Sequence, residues 1–196
     1  LPNMKHLSPV IDVSGSDSAI FDNVLEFLVR SGWKLPHAMM MMIPEPWQKS
    51  QLMETSKKAF YQYHSSLMEP WDGPAAMVFT DGRQIGACLD RNGLRPARFV
   101  ITADDFIYFS SETGVVDLPE EKIIRKDRLK PGHMLLVDLQ KGRLFLDDEI
   151  KKDIISDQPY KDWIEQSIVP IEDLKLMDQQ QPQYADNNED LLQIQA

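Results

Sequence analysis

The sequence predicts an α+β fold with helices ahead of an antiparallel sheet, and three observations carry that prediction. The first part of the chain holds apolar residues at helical spacing, whereas alternating apolar segments split by turn residues follow Gly73. Apolar residues make up 42% of the 196, enough for a substantial core.

Between Ser18 and Ser31, Ile20, Val24 and Leu28 recur every four positions beside Phe21 and Leu25, which makes one helical stripe. Ser16, Asp17 or Ser18 can cap its start, because a short oxygen-bearing side chain satisfies a backbone N–H that the helix leaves free. Asp22 favours the first turn and Gly32 the C-terminal end. A second helix is predicted from Pro46, with Leu52, Ser56, Ala59, Phe60, Tyr63 and Leu67 at helical spacing until Pro70. The stretch between these helices, with Met39 to Met42, has no clear period.

Three hairpins follow. Met77 to Thr80 and Arg83 to Leu89 flank Asp81-Gly82, a pair suited to a type I′ loop. Phe99 to Thr102 and Phe106 to Phe109 flank Ala103-Asp104-Asp105. Met134 to Leu139 and Arg143 to Leu146 flank Gln140-Lys141-Gly142, after a Pro131-Gly132 turn. Residues 176–196 are glutamine-rich and then acidic, a linker composition that leaves 1–175 as the folded part.

Charge and cysteine content exclude several classes. With 21 basic against 31 acidic residues the formal net charge is -10, so neither nucleic acid nor a membrane surface is an expected partner. One cysteine, Cys88, permits no internal disulfide and fits a cytoplasmic protein. No basic-then-apolar leader stands between Leu1 and Val13, and no apolar run is long enough to span a bilayer. The chain opens on leucine, which reads as a piece of something longer.

The candidate chemistry is sparse. His6, His37, His64 and His133 are far apart and show no metal-ligand spacing, so no metal site is expected. Cys88 lies in the apolar run Ile85 to Leu89 and reads as a structural thiol rather than a nucleophile. The methionine run reads as packing or interdomain contact rather than a cofactor box. Ser65-Ser66 and Ser110-Ser111-Glu112 lack a general base. Asp90-Arg91-Asn92-Gly93-Leu94-Arg95-Pro96 reads as a structural turn with two guanidinium groups near one carboxylate. Ser14-Gly15-Ser16-Asp17-Ser18 leads into a helix, but no Gly-Lys-[Ser/Thr] follows to make a P-loop. Asp17 has two readings: a helix cap, or a carboxylate held at a rigid helix entrance to bind a ligand ammonium group.

Taken in order, the runs Ser14 to Asn23, Asp72 to Ala76, Asp81 to Arg98, Tyr108 to Gly114 and Leu129 to His133 closely resemble the class II glutamine amidotransferase domain of glutamate synthase large subunits. The likeness extends from Ile11 to about Leu192. It implies an N-terminal-nucleophile hydrolase fold, an αββα sandwich with antiparallel sheets. It further implies hydrolysis of glutamine by an N-terminal cysteine whose own amine is the base, with an Asn side chain and a Gly N–H holding the oxyanion. Of the family's glutamine-binding residues, the aspartate that holds the α-amino group falls on Asp17. No catalytic residue is expected in this chain, since it begins at Leu1 and Cys88 has a peptide nitrogen in place of a free amine. The resemblance also implies an enzyme that reduces 2-oxoglutarate to glutamate with FMN and an iron-sulfur cluster carried elsewhere. Its partners would be the remainder of the large subunit and a nicotinamide-linked small subunit or ferredoxin. A non-catalytic binding or regulatory module, or a relative of asparagine synthetase, would share the sheet architecture.

Overall fold

The structure, a computed structural model, describes residues 9–169. The chain divides into two compact units, 1–164 and 165–196, and the second is described only over 165–169. The expected linker at 176–196, and His6, lie outside the described residues.

Helix α1 spans Asp17–Arg30, close to its predicted bounds. Ser16 is its N-cap, its side chain accepting from the Ala19 N–H at 3.3 Å. At the other end Trp33 N–H donates to Leu28 O and Gly32 N–H to Val29 O, with Gly32 at φ 103. This is the pair of bonds that a left-handed residue allows after a helix, so glycine is required there.

The next stretch departs from expectation. Residues 35–42 form helix α2 (Leu35–Met42), and all of its residues are buried. A helix enclosed on every side presents no polar face, so its sequence carries no period to detect. The second predicted helix is shorter than expected: α3 spans only Thr55–Ser65. Leu52, assigned to its apolar stripe, is 98% exposed, because residues 46–54 run in turns. One of these turns is closed by the Met53 N–H donating to Ser50 Oγ at 3.2 Å.

All three hairpins form. Strands β1 (Ala76–Thr80) and β2 (Gln84–Leu89) pair antiparallel, but the loop is centred one residue later than predicted. Thr80 faces Ile85, and of the two turn residues Asp81 and Gly82 only Gly82 has positive φ. The Asp81 carboxylate accepts from the Arg83 and Gln84 N–H groups, both at 2.8 Å, and this side-chain closure displaces the type I′ turn. Strands β3 (Arg98–Thr102) and β4 (Ile107–Ser110) form the second hairpin. Strand β5 (Ile123–Arg128) was not predicted; it pairs with β3, and β6 (Met134–Asp138) pairs with β7 (Arg143–Leu146). Helices α4 (Asp147–Ser156) and α5 (Tyr160–Ser167) follow the strands and correct the expectation that helices only precede the sheet.

Two sheets result, in the orders β1-β2-β6-β7 and β4-β3-β5. Side chains alternate along a strand, so β2 divides its residues between two cores. Ala87 and Leu89 join Leu135, Phe99 and Leu129 between the sheets. Cys88 joins Phe79, Met134 and Leu136 beneath Phe21, Met39, Phe60 and Ile154 from the helices. The described residues thus stack as a helical layer on a four-stranded sheet on a three-stranded sheet, an α+β arrangement.

Candidate functional site

At the entrance of α1 the backbone is held by its own side chains. Asp12 Oδ1 accepts from the Ser14 N–H at 3.0 Å and the Ser14 hydroxyl at 2.6 Å, which lowers the Asp12 carboxyl below its ordinary range. Asn23 Oδ1 accepts from the Asp12 N–H at 3.2 Å, tying the loop to the helix it precedes. Gly15 is closely packed: a Cβ there would lie 3.2 Å from that of Ala19. Asp17 is the first residue of α1, one position beyond the Ser16 cap. Its side chain is exposed and takes no hydrogen bond or ion pair among the described residues. The capping reading of Asp17 therefore passes to Ser16, and the carboxylate is left facing outward at the positive end of the helix.

The fold gathers the sequence runs singled out above. Phe21 of α1 stands edge-on to Trp71, ring centroids 5.4 Å apart. Trp71 is followed by Asp72, whose carboxylate meets Arg91 at 2.6 Å. Asp90 is buried, and its Oδ2 accepts from the Ala75 N–H at 3.1 Å while Oδ1 accepts from the Asn92 N–H at 2.9 Å. Its carbonyl accepts from Gly93 and Gly132 N–H, so one aspartate joins the turns at 72–75, 90–93 and 130–133. Gly93 is required there, with φ 63 and Pro131 only 2.6 Å from where a Cβ would stand. The expected clustering of two guanidinium groups on Asp90 is not what the structure contains. Backbone N–H groups occupy this carboxylate; Arg91 turns to Asp72, and Arg95 is exposed.

Beneath these turns lies a charged group that the sequence reading missed. Lys151 of α4 is 1% exposed; its ammonium donates to Glu45 at 2.6 Å, to Gly132 O at 2.7 Å and pairs with Asp147 at 2.8 Å. Burial pushes the Glu45 carboxyl upward, but Lys151 and Lys57 together outweigh it and hold it below the ordinary range. The spacing of Asp147 and Lys151 on one helix face was the available signal.

The structure also brings together two of the scattered histidines, His37 and His64, with Nε2 atoms 3.0 Å apart. Cys88 is buried in the helical core, and burial pushes its thiol up to about 12, so it stays a neutral packing group at physiological pH. Ser110 and Ser66 donate their hydroxyls to backbone carbonyls, of Glu112 and Tyr63. A cavity of about 780 Å³ lies between Trp47, His64, Arg91 and Asn92 and does not include Asp17. Ser18, beside Asp17, lines a groove of about 560 Å³ with Phe21, Met77 and Val78. No helix among the described residues is long and apolar enough to cross a membrane.

Comparison with known proteins agrees with this arrangement. The family model of class-II glutamine amidotransferases matches residues 1–163. The NADPH glutamate synthase large chain of Bacillus subtilis (strain 168) is 53% identical over 169 residues, 86% of this chain and 11% of that protein. The NADH glutamate synthase of Schizosaccharomyces pombe is 49% identical over 164 residues, 83% of this chain and 8% of that protein. The chloroplastic ferredoxin-dependent glutamate synthase of Oryza sativa subsp. japonica is 46% identical over 164 residues, 82% of this chain and 10% of that protein. The chain spans about a tenth of the length of these relatives. By the match across its folded part, the chain belongs to the class-II glutamine amidotransferase family.

Proposed function

We propose that this chain is the later part of the glutamine-hydrolysing domain of a glutamate synthase large chain, and that Asp17 holds the α-ammonium group of glutamine. The observation that carries the reading is 53% identity over 169 residues to a glutamate synthase large chain. The exposed, unengaged carboxylate at the start of α1 supports the residue assignment. A full positive charge on the substrate and a fixed carboxylate form a charge-assisted hydrogen bond, about twice as strong as a neutral one.

The nucleophile in this reading is an N-terminal cysteine of the complete domain, together with its amine base and oxyanion donors. Cys88 does not replace it, because its sulfur is buried and neutral and its nitrogen is acylated. The ammonia released serves reductive conversion of 2-oxoglutarate to glutamate in parts of the protein that hold FMN and an iron-sulfur cluster. A cluster needs several cysteine thiolates, which a chain with one buried cysteine does not offer, so its ligands come from outside these residues. Electrons come from a nicotinamide-linked small subunit or from ferredoxin, and the enzyme works in the cytoplasm.

Asp17→Asn in the full-length enzyme tests this. It keeps the shape of the side chain and removes the charge. Glutamine-dependent kcat/KM is expected to fall by about 2 to 4 kcal/mol in transition-state stabilisation, while synthesis from added ammonia persists. Unchanged glutamine kinetics with only a lower Tm would make Asp17 a helix-end residue and nothing more. The chain by itself is expected to release no ammonia from glutamine; release abolished by Cys88→Ala would overturn the structural role of that thiol.

A further inference from the structure

In a chain of 31 acidic and 21 basic residues, one cleft stands apart. It measures about 330 Å³ and is lined by Arg95, Arg98, Arg128 and Lys130 and by no acidic side chain. The β3–β5 register sets Arg98 directly opposite Arg128, and the Leu129 N–H donating to Ala97 O at 2.9 Å extends the pairing to the cleft floor. Alternation along β5 puts Lys126 on the same face as Arg128, about 7 Å away. Like charges directly opposite one another work against strand pairing. This sheet carries such a pair on an exposed face.

The five cations have no carboxylate within ion-pair distance, and only Lys130 acts on one from further off, lowering the Asp127 carboxyl on the other face of β5. None of them makes an ion pair among the described residues, whereas Arg125 on the other face of β5 pairs with Asp127 at 2.6 Å. Glu112, Asp117 and Glu120 line the adjoining cleft with Arg98 and Lys126, yet none comes within ion-pair distance of them. The backbone that presents the cations is rigid, with Pro96 and Pro131 in the cleft wall and Gly93 held against Pro131. Strand β5 is also an edge, with its outer backbone groups unpaired by any strand among the described residues.

We propose that this basic cleft and the neighbouring edge of β5 dock an acidic segment of the remainder of the large chain. The inference rests on the reading of this chain as part of a glutamate synthase. Charge complementarity selects the chemistry, since arginine forks bind carboxylates in pairs. Chain length selects the source: about nine-tenths of the Bacillus subtilis relative lies outside the matched region, so most of such a protein must pack around this unit. A nucleic acid fits worse, because the chain's net charge of -10 repels a polyanion at long range. A single phosphate fits worse too, because the row from Lys126 to Lys130 runs about 13 Å.

The test is zero-length carbodiimide cross-linking of the full-length enzyme, read by mass spectrometry. Lys126 or Lys130 is expected to join to Asp or Glu outside the stretch that corresponds to this chain. Arg98→Glu with Arg128→Glu should cut that yield about tenfold, in line with like charge replacing complementary charge. Arg98→Lys with Arg128→Lys should retain it. Glutamine hydrolysis should persist in both variants, which shows that the domain is folded. Cross-links confined to this chain, residues 170–196 included, would overturn the proposal, and so would their absence. Protection of the two lysines from acetylation by an oligonucleotide or inorganic phosphate, without cross-links, would overturn it as well. An active glutamine-dependent synthase lacking the cross-links rejects the docking alone; a protein that makes no glutamate from glutamine rejects the underlying reading.

Discussion

His37 and His64 meet inside a wall formed by Trp33, Phe60 and Tyr160, with Nε2 atoms 3.0 Å apart. His64 Nδ1 lies 2.8 Å from Phe60 O, so that nitrogen carries the proton and its Nε2 accepts from His37. This arrangement needs a neutral His64, and burial keeps His37 neutral beside it. Burial, then the neighbouring His64, lowers His37 to about 4; burial lowers His64 as well, and Asp157 and Lys34 are the nearby charged groups acting on His37. Both folded values lie below the ordinary histidine value, so the unfolded chain binds more protons and stability falls as pH drops from about 6.5 towards 4. The loss from His37 should be on the order of 2 to 3 kcal/mol. Hydrogen exchange of α2 and α3 amides, corrected for intrinsic rates, should report it, and His37→Phe should flatten the profile. A stability independent of pH across that window would contradict the neutral pair. Nothing in the sequence could signal this contact, because the two residues stand 27 positions apart and only packing of α2 on α3 joins them.

Element formation depended on what each segment packs against. Within the β1–β2 hairpin Phe79 faces Gly86, and its ring occupies the space where a Cβ would stand, 2.2 Å away. Gly86→Ala should therefore destabilise the chain by about 1 to 3 kcal/mol, the usual range for overpacking, measured as a lower denaturation midpoint. A neutral result would mean that Phe79 can leave at no cost. Helix α4 depends on a buried ion group instead. Lys151→Ala removes the buried cation shared by Glu45 and Asp147 and leaves Glu45 only Lys57, and breaking such a group costs about 3 to 5 kcal/mol. Lys151→Met should recover little, since it restores volume and not charge, and equal stability of Met and lysine at this position would refute that. Strand β5 escaped prediction because its charged run, Arg125 to Arg128, hides the alternation that marks a half-buried strand. An edge strand tolerates that composition, and charge there also discourages unwanted pairing.

Over the whole molecule, apolar surface remains open along β1. Val78 is 63% exposed and Ile85 42%, and both line the groove beside α1. An edge strand flanked by such a groove is a ready surface for pairing. The isolated chain should bind a hydrophobic dye or aggregate, and Val78→Lys should reduce both. A clean monomer that melts sharply without binding dye would show that the unit is self-sufficient.

The sequence by itself determined the α+β class, the first helix with its capping segment and its glycine stop, and the positions of all three hairpins. Those features are local: spacing, caps and turn residues act within a few positions. It also placed Asp17 at a helix entrance, although the cap itself belongs to Ser16. Tertiary structure decided the rest. Helix α2 exists because every side of it is enclosed, and β5 because β3 offers it an edge. Asp90 and Lys151 bind turns that are remote in the chain, and the histidines pair only across packed helices. Each of these joins residues separated by loop closure, and no window along the sequence contains both partners.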